Sequence, residues 1–388
     1  MLTRRAVLTS LALLLAVSCT GSGGISPTPK KKELVVGAVL SLTGGAAVYG
    51  SDADKGAQLA AEQFNAASRP FTVRYVAMDD KSDRVEATKS ARALVEAQGA
   101  QVLLGPAISP SALSVGKYAQ ESLIPMIATS ATQDEVTTPT SGEDRSYVFR
   151  VCFNDSYQGD LLGPFAAQEL GLTTAGIVYD KTLSYSIGLA QKFRSAFEAK
   201  GGTILFEENY SVKDTDYSSL VTKVAQSDAQ VLFIPGWDEN VGPMLKQAGN
   251  QWDKFTLLGG DGWPSPRLKD LSGGNIRNAY AVTHFDPNDT DPGVRSFVTS
   301  YRARYADAEP TAFAALGYDA MDVLLDAASR APDFAGTSLR DALQRTDLSA
   351  VTGRIRFDAS RNPNKGATIV KMDGGIVTFF KRVAPVGP

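Results

Sequence analysis

Two hydroxyl-rich loops carry the first chemistry visible in this 388-residue chain. Gly105-Pro106-Ala107-Ile108-Ser109-Pro110-Ser111 and Ala128-Thr129-Ser130-Ala131-Thr132 each follow a short apolar run. Hydroxyls and free backbone N–H groups can satisfy a carboxylate or another acceptor group without a net positive charge. Ser and Thr are equally the preferred caps of helix N-termini, so residue type alone leaves binding and capping even. Further along, three segments set aromatics beside carboxylates: Tyr179-Asp180 leading to Tyr185, Gly236-Trp237-Asp238, and Gly260-Asp261-Gly262-Trp263. That pairing suits an ammonium, through charge and cation–π contact. A Gly-Asp-Gly turn with tryptophans packed on the surface would read the same way. Hydroxyls on one side and a carboxylate with aromatic faces on the other make a complementary pair for a zwitterion.

Catalysis is short of actors. The chain holds one histidine, His284, the residue type most used as metal ligand and general base. G-x-S-x-G, C-x-x-C and H-E-x-x-H are absent. Carboxylate-only hydrolysis, with Asp261 and either Asp238 or Glu239, stays as a remote alternative. The loop Ser41–Gly50 has neither G-x-G-x-x-G nor a P-loop Lys-Ser/Thr. No metal and no cofactor are expected. With 39 basic and 42 acidic residues, a net charge of −3 and no basic cluster, nucleic acid is not an expected partner.

The N-terminus reads as an export signal. Arg4 and Arg5 precede an apolar run from Ala6 to Val17, too short to span a bilayer, and small residues lead to Cys19. Ala16-Val17-Ser18-Cys19 resembles a bacterial lipobox, with Cys19 as the lipidated first residue after a signal peptide of residues 1–18. Ordinary cleavage nearby is the plainer alternative. Thr3–Leu8 also resembles a twin-arginine signal. Residues 19–32, rich in Gly, Ser, Pro and Lys, have the composition of a flexible linker. Cys152, in the apolar run Val148–Phe153, then has no partner and reads as a small buried hydrophobe rather than a reactive thiol.

The elements that must position these groups alternate. Apolar runs at Leu34–Leu40, Phe71–Val76, Gln101–Leu104 and Pro125–Ile127 predict strands, with helices over about Asp52–Ala67 and Asp83–Gln98 and after Pro110. The rhythm repeats with strands at Ala175–Tyr179, Thr203–Phe206, Gln230–Ile234 and Phe255–Leu258. Helices fill its gaps at Tyr157–Leu170, Ile187–Lys200, Tyr217–Ser227 and Asn240–Gly249. Two such runs predict an α/β fold with two doubly wound, mainly parallel sheets. Pro292–Arg345 reads as helices only. Ile355–Phe357 and a hairpin over Thr368–Phe380, turning at Asp373-Gly374-Gly375, are strands that must rejoin a sheet. The chain therefore crosses between lobes and leaves a cleft, and ligands of open parallel sheets bind beyond the strands' carboxyl ends.

Several segments in order carry a family resemblance: Val36–Gly44 with Tyr49-Gly50, Leu103–Ser109, Ile124–Thr132, Tyr179–Gly188 and Gly242–Ala248. Across nearly all of the chain after the signal, it resembles the type I periplasmic solute-binding proteins of branched-chain amino-acid ABC transport. The resemblance implies two lobes joined by three hinge strands that close on ligand. It implies a first lobe of residues 33–150 and 283–357, and a second of 151–282 and 358–388. It implies that Ser109 and Thr132 bind an α-carboxylate with Ser130 adding backbone groups, that Asp261 takes the α-ammonium where Glu is more familiar, and that Tyr185 covers the ligand. It further places Tyr49, Trp237 and Phe285 around the side chain, puts Ile108 at one of the family's cysteine positions, and leaves His284 in the hinge packing or at the cleft. The expected function is an exported, lipid-anchored receptor, monomeric, handing a branched-chain or other apolar amino acid to an ABC permease. A sensor of the same fold binding an amide, urea or aromatic acid is the alternative.

Overall fold

The computed structural model describes residues 32–385. The expected signal peptide, the lipidated Cys19 and all but the last residue of the linker lie outside the described residues. Lys32, placed in the linker by sequence, already belongs to the first strand.

The first half builds one parallel sheet. β1 (Lys32–Leu40), α1 (Ala47–Ala66), β2 (Phe71–Asp79), α2 (Arg84–Glu96), β3 (Val102–Leu104), α3 (Ser109–Ser122), β4 (Met126–Ala128) and β5 (Val148–Arg150) follow in order. The sheet order is β2-β1-β3-β4-β5. Leu34 to Leu40 are all buried, because β1 lies inside the sheet with helices on both faces. Asp83 caps α2 by accepting from the backbone N–H groups of Val85 (2.8 Å) and Glu86 (3.0 Å).

The second sheet begins after α4 (Asp155–Pro164), which runs into a π-helical turn at Phe165–Glu169. It contains β6 (Thr174–Asp180), β7 (Thr203–Tyr210), β8 (Val231–Phe233), β9 (Thr256–Gly259) and β10 (Ala279–Thr283). Its helices are α5 (Ser184–Glu198), α6 (Ser218–Ala225), α7 (Asp238–Ala248) and the short α8 (Leu268–Leu271). The chain then returns as α9 (Pro292–Arg304), α10 (Ala312–Arg330) and α11 (Gly336–Gln344), followed by the small hairpin β11 (Asp347–Ala350) and β12 (Gly353–Arg356). Finally β13 (Ala367–Asp373) and β14 (Ile376–Val383) complete the second sheet, order β14-β13-β10-β9-β8-β6-β7. β13 joins antiparallel to β10, with Ala281 opposite Val370.

The chain thus passes between the sheets three times, after β5, after β10 and after β12. α10 packs along α1, which makes the three late helices part of the first layer. That approach depends on glycine. A Cβ at Gly56 would collide with the Ala314 carbonyl oxygen, and one at Gly317 with the Ala53 carbonyl oxygen. Sequence reading missed β5 and β11, expected a strand before His284 without giving β10 its bounds, and started α1 five residues late. β5 is three residues long and ends in Arg150, a charge in a strand that is fully buried. The two terminal nitrogens of the Arg150 guanidinium donate to the carbonyls of Ala131 (2.9 Å) and Gln133 (2.9 Å) and to the Thr137 hydroxyl (3.0 Å). No helix among the described residues is long and apolar enough to cross a membrane.

Candidate functional site

The carboxyl ends of the parallel strands in the two sheets face each other, and the loops that follow them meet there. Tyr49 in the first turn of α1, Ala107, Ile108 and Ser109 at the start of α3, and Ser130 after β4 come from one side. Tyr185 in the first turn of α5, Trp237 before α7, and Asp261 with Gly262 after β9 come from the other. Phe313, at the start of α10, completes the wall. Together they enclose a cavity of ≈ 20 Å³, about the room of one water molecule. The sides touch directly: the Tyr49 hydroxyl lies 3.1 Å from both Asp238 Oδ1 and the Gly262 carbonyl, and accepts from the Asp238 N–H at 3.1 Å. The Tyr49 ring packs on Phe313, with centroids 4.6 Å apart, and edge-on to Trp237 at 6.2 Å.

Asp261 is the centre of the polar network. Its Oδ1 accepts from the Tyr185 hydroxyl (3.1 Å) and from Gln158 Nε2 (3.1 Å), and its Oδ2 lies 3.0 Å from His284 Nε2. The Asp261 N–H donates back to Gln158 Oε1 at 3.1 Å. Gly260 makes this closeness feasible, since a Cβ there would lie 2.5 Å from the Tyr185 hydroxyl. Burial pushes the His284 imidazole down to about 4, against the smaller opposing pull of Asp261. Burial, then Asp261 and Asp155, pushes the Tyr185 phenol far up, so both residues stand beside the carboxylate as neutral donors. Asp155, in the first turn of α4, is buried and its carboxyl is raised, chiefly by burial. It lies beside Gln158 Nε2 at 3.4 Å.

On the opposite side, the Ser130 hydroxyl donates to the Ala107 carbonyl (2.8 Å) and Ser109 Oγ accepts from the Gln133 N–H (3.2 Å). These bonds leave Ser109 a hydroxyl hydrogen to donate. Thr132 is buried behind this wall, with its carbonyl accepting from the Asp155 N–H at 2.8 Å.

Of the eight expected ligand residues, Tyr49, Ser109, Ser130, Tyr185, Trp237 and Asp261 line the cavity. Thr132 does not reach its surface. Phe285 faces away, edge-on to Phe297 at 5.8 Å, in a groove of ≈ 930 Å³ along α9 and the interlobe connections. His284 borders the same groove, yet its Nε2 reaches Asp261, whereas the Phe285 ring packs on Phe297. Trp263 is fully buried, its Nε1 donating to the Ile234 carbonyl at 2.9 Å, and packs in the core of the second layer rather than in the cleft. Sequence reasoning passed over Ala107, Ile108, Gly262 and Phe313 in the wall, and Gln158 and Asp155 behind Asp261. The run Asn154-Asp155-Ser156-Tyr157-Gln158 held a usable signal: a capping Asn followed by a carboxylate and an amide on one helical turn. Cys152 is free and buried, its thiol pushed up to about 12 by burial, which makes it inert. Among the described residues, no three His, Cys, Asp or Glu side chains gather to hold a metal ion.

A sequence model of the periplasmic binding protein family matches residues 33–375. The Leu/Ile/Val-binding protein homolog 1 of Brucella abortus (strain 2308) is 24% identical over 376 residues, covering 96% of this chain and 97% of its own. A leucine-binding protein from Thermotoga maritima MSB8 superposes with a TM-score of 0.85 at 27% identity, over 91% of this chain and 99% of that one. A branched-chain amino acid transporter substrate-binding protein from Streptococcus pneumoniae, in complex with isoleucine, superposes with a TM-score of 0.84 at 29% identity, over 91% and 100%.

Proposed function

The chain belongs to the periplasmic binding protein family, and on that premise we propose that it captures an apolar, branched-chain amino acid between its lobes and presents it to an ABC permease. The observation that carries this reading is Asp261: a buried carboxylate in an aromatic-walled cleft, held only by neutral donors, with the Ser109 and Ser130 hydroxyls opposite. A carboxylate with no cationic side chain paired to it leaves the place of a cation open to a ligand ammonium, whose hydrogen bond to it would be charge-assisted. The α-carboxylate would take Ser109 and the backbone N–H groups near Ser130, with Thr132 supporting that wall from behind. Tyr49, Trp237, Tyr185 and Phe313 would enclose the aliphatic side chain. We place the lobes at residues 33–150 with 283–357 and 151–282 with 358–388, and read the protein as an exported, lipid-anchored monomer tethered through Cys19.

Nothing in this arrangement asks for turnover: Asp261 is tied to neutral side chains, and Asp238 to Tyr49, to the Ser265 hydroxyl at 2.6 Å and to the Arg267 guanidinium at 4.0 Å. Titration calorimetry with L-isoleucine tests the reading. Removing one partner of a buried charge pair costs about 2–5 kcal/mol, so Asp261→Ala is expected to weaken isoleucine by roughly 30-fold or more. Equal affinity in the variant would remove Asp261 from the site, and preferential binding of an aromatic carboxylate that lacks an amine would replace the ligand class.

A further inference from the structure

His284 is the chain's single histidine, and the amino-acid reading gives it no task. It sits at the second interlobe passage, immediately after β10. Its ring is buried and stacks on Phe153, at the first passage, with centroids 3.6 Å apart and planes 23° from parallel. A neutral imidazole carries one N–H, and Asp261 Oδ2 at 3.0 Å is the acceptor within reach. Nδ1 has no hydrogen-bond partner among the described residues. The proton therefore belongs on Nε2, and the carboxylate receives a directed bond from a group clamped by an aromatic face.

Neutrality matters as much as direction. A cationic imidazole at this distance would pair with Asp261 and cancel the charge that an ammonium needs. Lys365, also buried, adds to the forces that keep the imidazole uncharged. An ionised carboxylate offers about four acceptor sites. Tyr185 and Gln158 occupy those of Oδ1, His284 one on Oδ2, and one on Oδ2 is left to point at a ligand.

We propose that His284 is a positioning residue that sets ligand selectivity: as a neutral Nε2–H donor fixed to the interlobe connections, it aims the remaining Asp261 lone pair so that the cleft discriminates ligands by their ammonium group. The inference rests on the amino-acid reading and extends it to a residue outside the cavity wall. It separates two effects that ordinary structural damage would merge. Loss of the donor weakens ligands that carry an ammonium and spares those that do not.

The test compares L-isoleucine with its des-amino counterpart, 3-methylpentanoate, by calorimetry on the native protein, His284→Leu and His284→Gln. His284→Leu is expected to lose roughly 10- to 100-fold in isoleucine affinity, the range for a hydrogen bond to a charged group, with 3-methylpentanoate unchanged. His284→Gln, which restores an N–H near the same place, is expected to recover most of the ratio. A ratio unchanged in His284→Leu, with isoleucine still bound, would overturn the inference and leave the amino-acid reading standing. A native protein that binds no isoleucine would overturn both.

A measurement on the native protein covers the case in which the leucine variant does not fold. Because there is one histidine, ¹⁵N labelling of the tag-free protein gives a single imidazole spectrum. The Nε2–H tautomer is expected, with its proton resonance shifted by isoleucine and not by 3-methylpentanoate. An Nδ1–H tautomer, an imidazolium at neutral pH, or equal shifts with both ligands would sink the assignment.

Discussion

His284 ionises near pH 6.5 in an unfolded chain but only at about 4 in its buried site. Between those values the unfolded chain binds the extra proton, so acid favours unfolding. The native state is therefore expected to lose about 3 kcal/mol through this one residue as pH falls from about 7 to 4, with no further loss below, where both states are protonated. Urea unfolding of the native protein and His284→Leu across that window isolates the effect, since other groups such as Asp155 titrate in both. Equal pH dependence in the two would mean that His284 is not held neutral. The residue scale is also where sequence reading was most uneven. Asp261, Ser109 and Ser130 were legible because a strand's end announces the loop that can bind. Gln158 lies 103 positions from Asp261 and His284 lies 23 away, and no local pattern joins them. Phe285, expected beside the ligand side chain, lies outside the cavity wall and packs on Phe297, a contact that no local pattern announces.

At the scale of elements, the contact of α1 with α10 governs the first wall of the site. Tyr49 lies in the first turn of α1 and Phe313 in the first turn of α10, and their rings meet at 4.6 Å. Gly56 and Gly317 set how closely the two helices approach, because each faces a carbonyl of the other helix. Gly317→Ala would thrust a methyl against the Ala53 backbone, and overpacking of this kind costs about 1–3 kcal/mol. Denaturant unfolding should show that loss. A stability equal to the native protein's would mean that the helices can separate freely. The partner of α1 was not legible from its own pattern, since small residues at close spacing look like ordinary helix composition. Apolar strands such as β1 and the three-residue β3, β4 and β8 were legible, whereas β5 was not, because it owes its place to neighbours and to the carbonyls around Arg150 rather than to its own sequence.

The whole molecule turns on how its two halves close. The discontinuous layering could be inferred before any coordinates, because tail strands without a sheet must rejoin one, and β13 does so on β10. How tightly the halves meet could not, since it depends on contacts between distant residues, among them the Tyr49 hydroxyl bonded to Asp238 and Gly262 across the cleft and the Lys192–Asp134 ion pair at 3.0 Å. A cavity of ≈ 20 Å³ admits about one water, so the proposed amino-acid ligand would enter only after those bonds give way. Tyr49→Phe keeps the ring against Phe313 and Trp237 and removes only this latch. A hydrogen bond of this kind contributes about 1 kcal/mol, so the closed arrangement should lose roughly fivefold in population. Fluorescence transfer between labels on the two lobes is expected to report a longer mean distance in the ligand-free variant. Stopped-flow mixing with isoleucine should show an association rate raised by a similar factor, because less closure has to be undone before encounter becomes binding. An unchanged distance together with an unchanged association rate would mean that the aromatic packing, and not the Tyr49 hydroxyl, holds the lobes together.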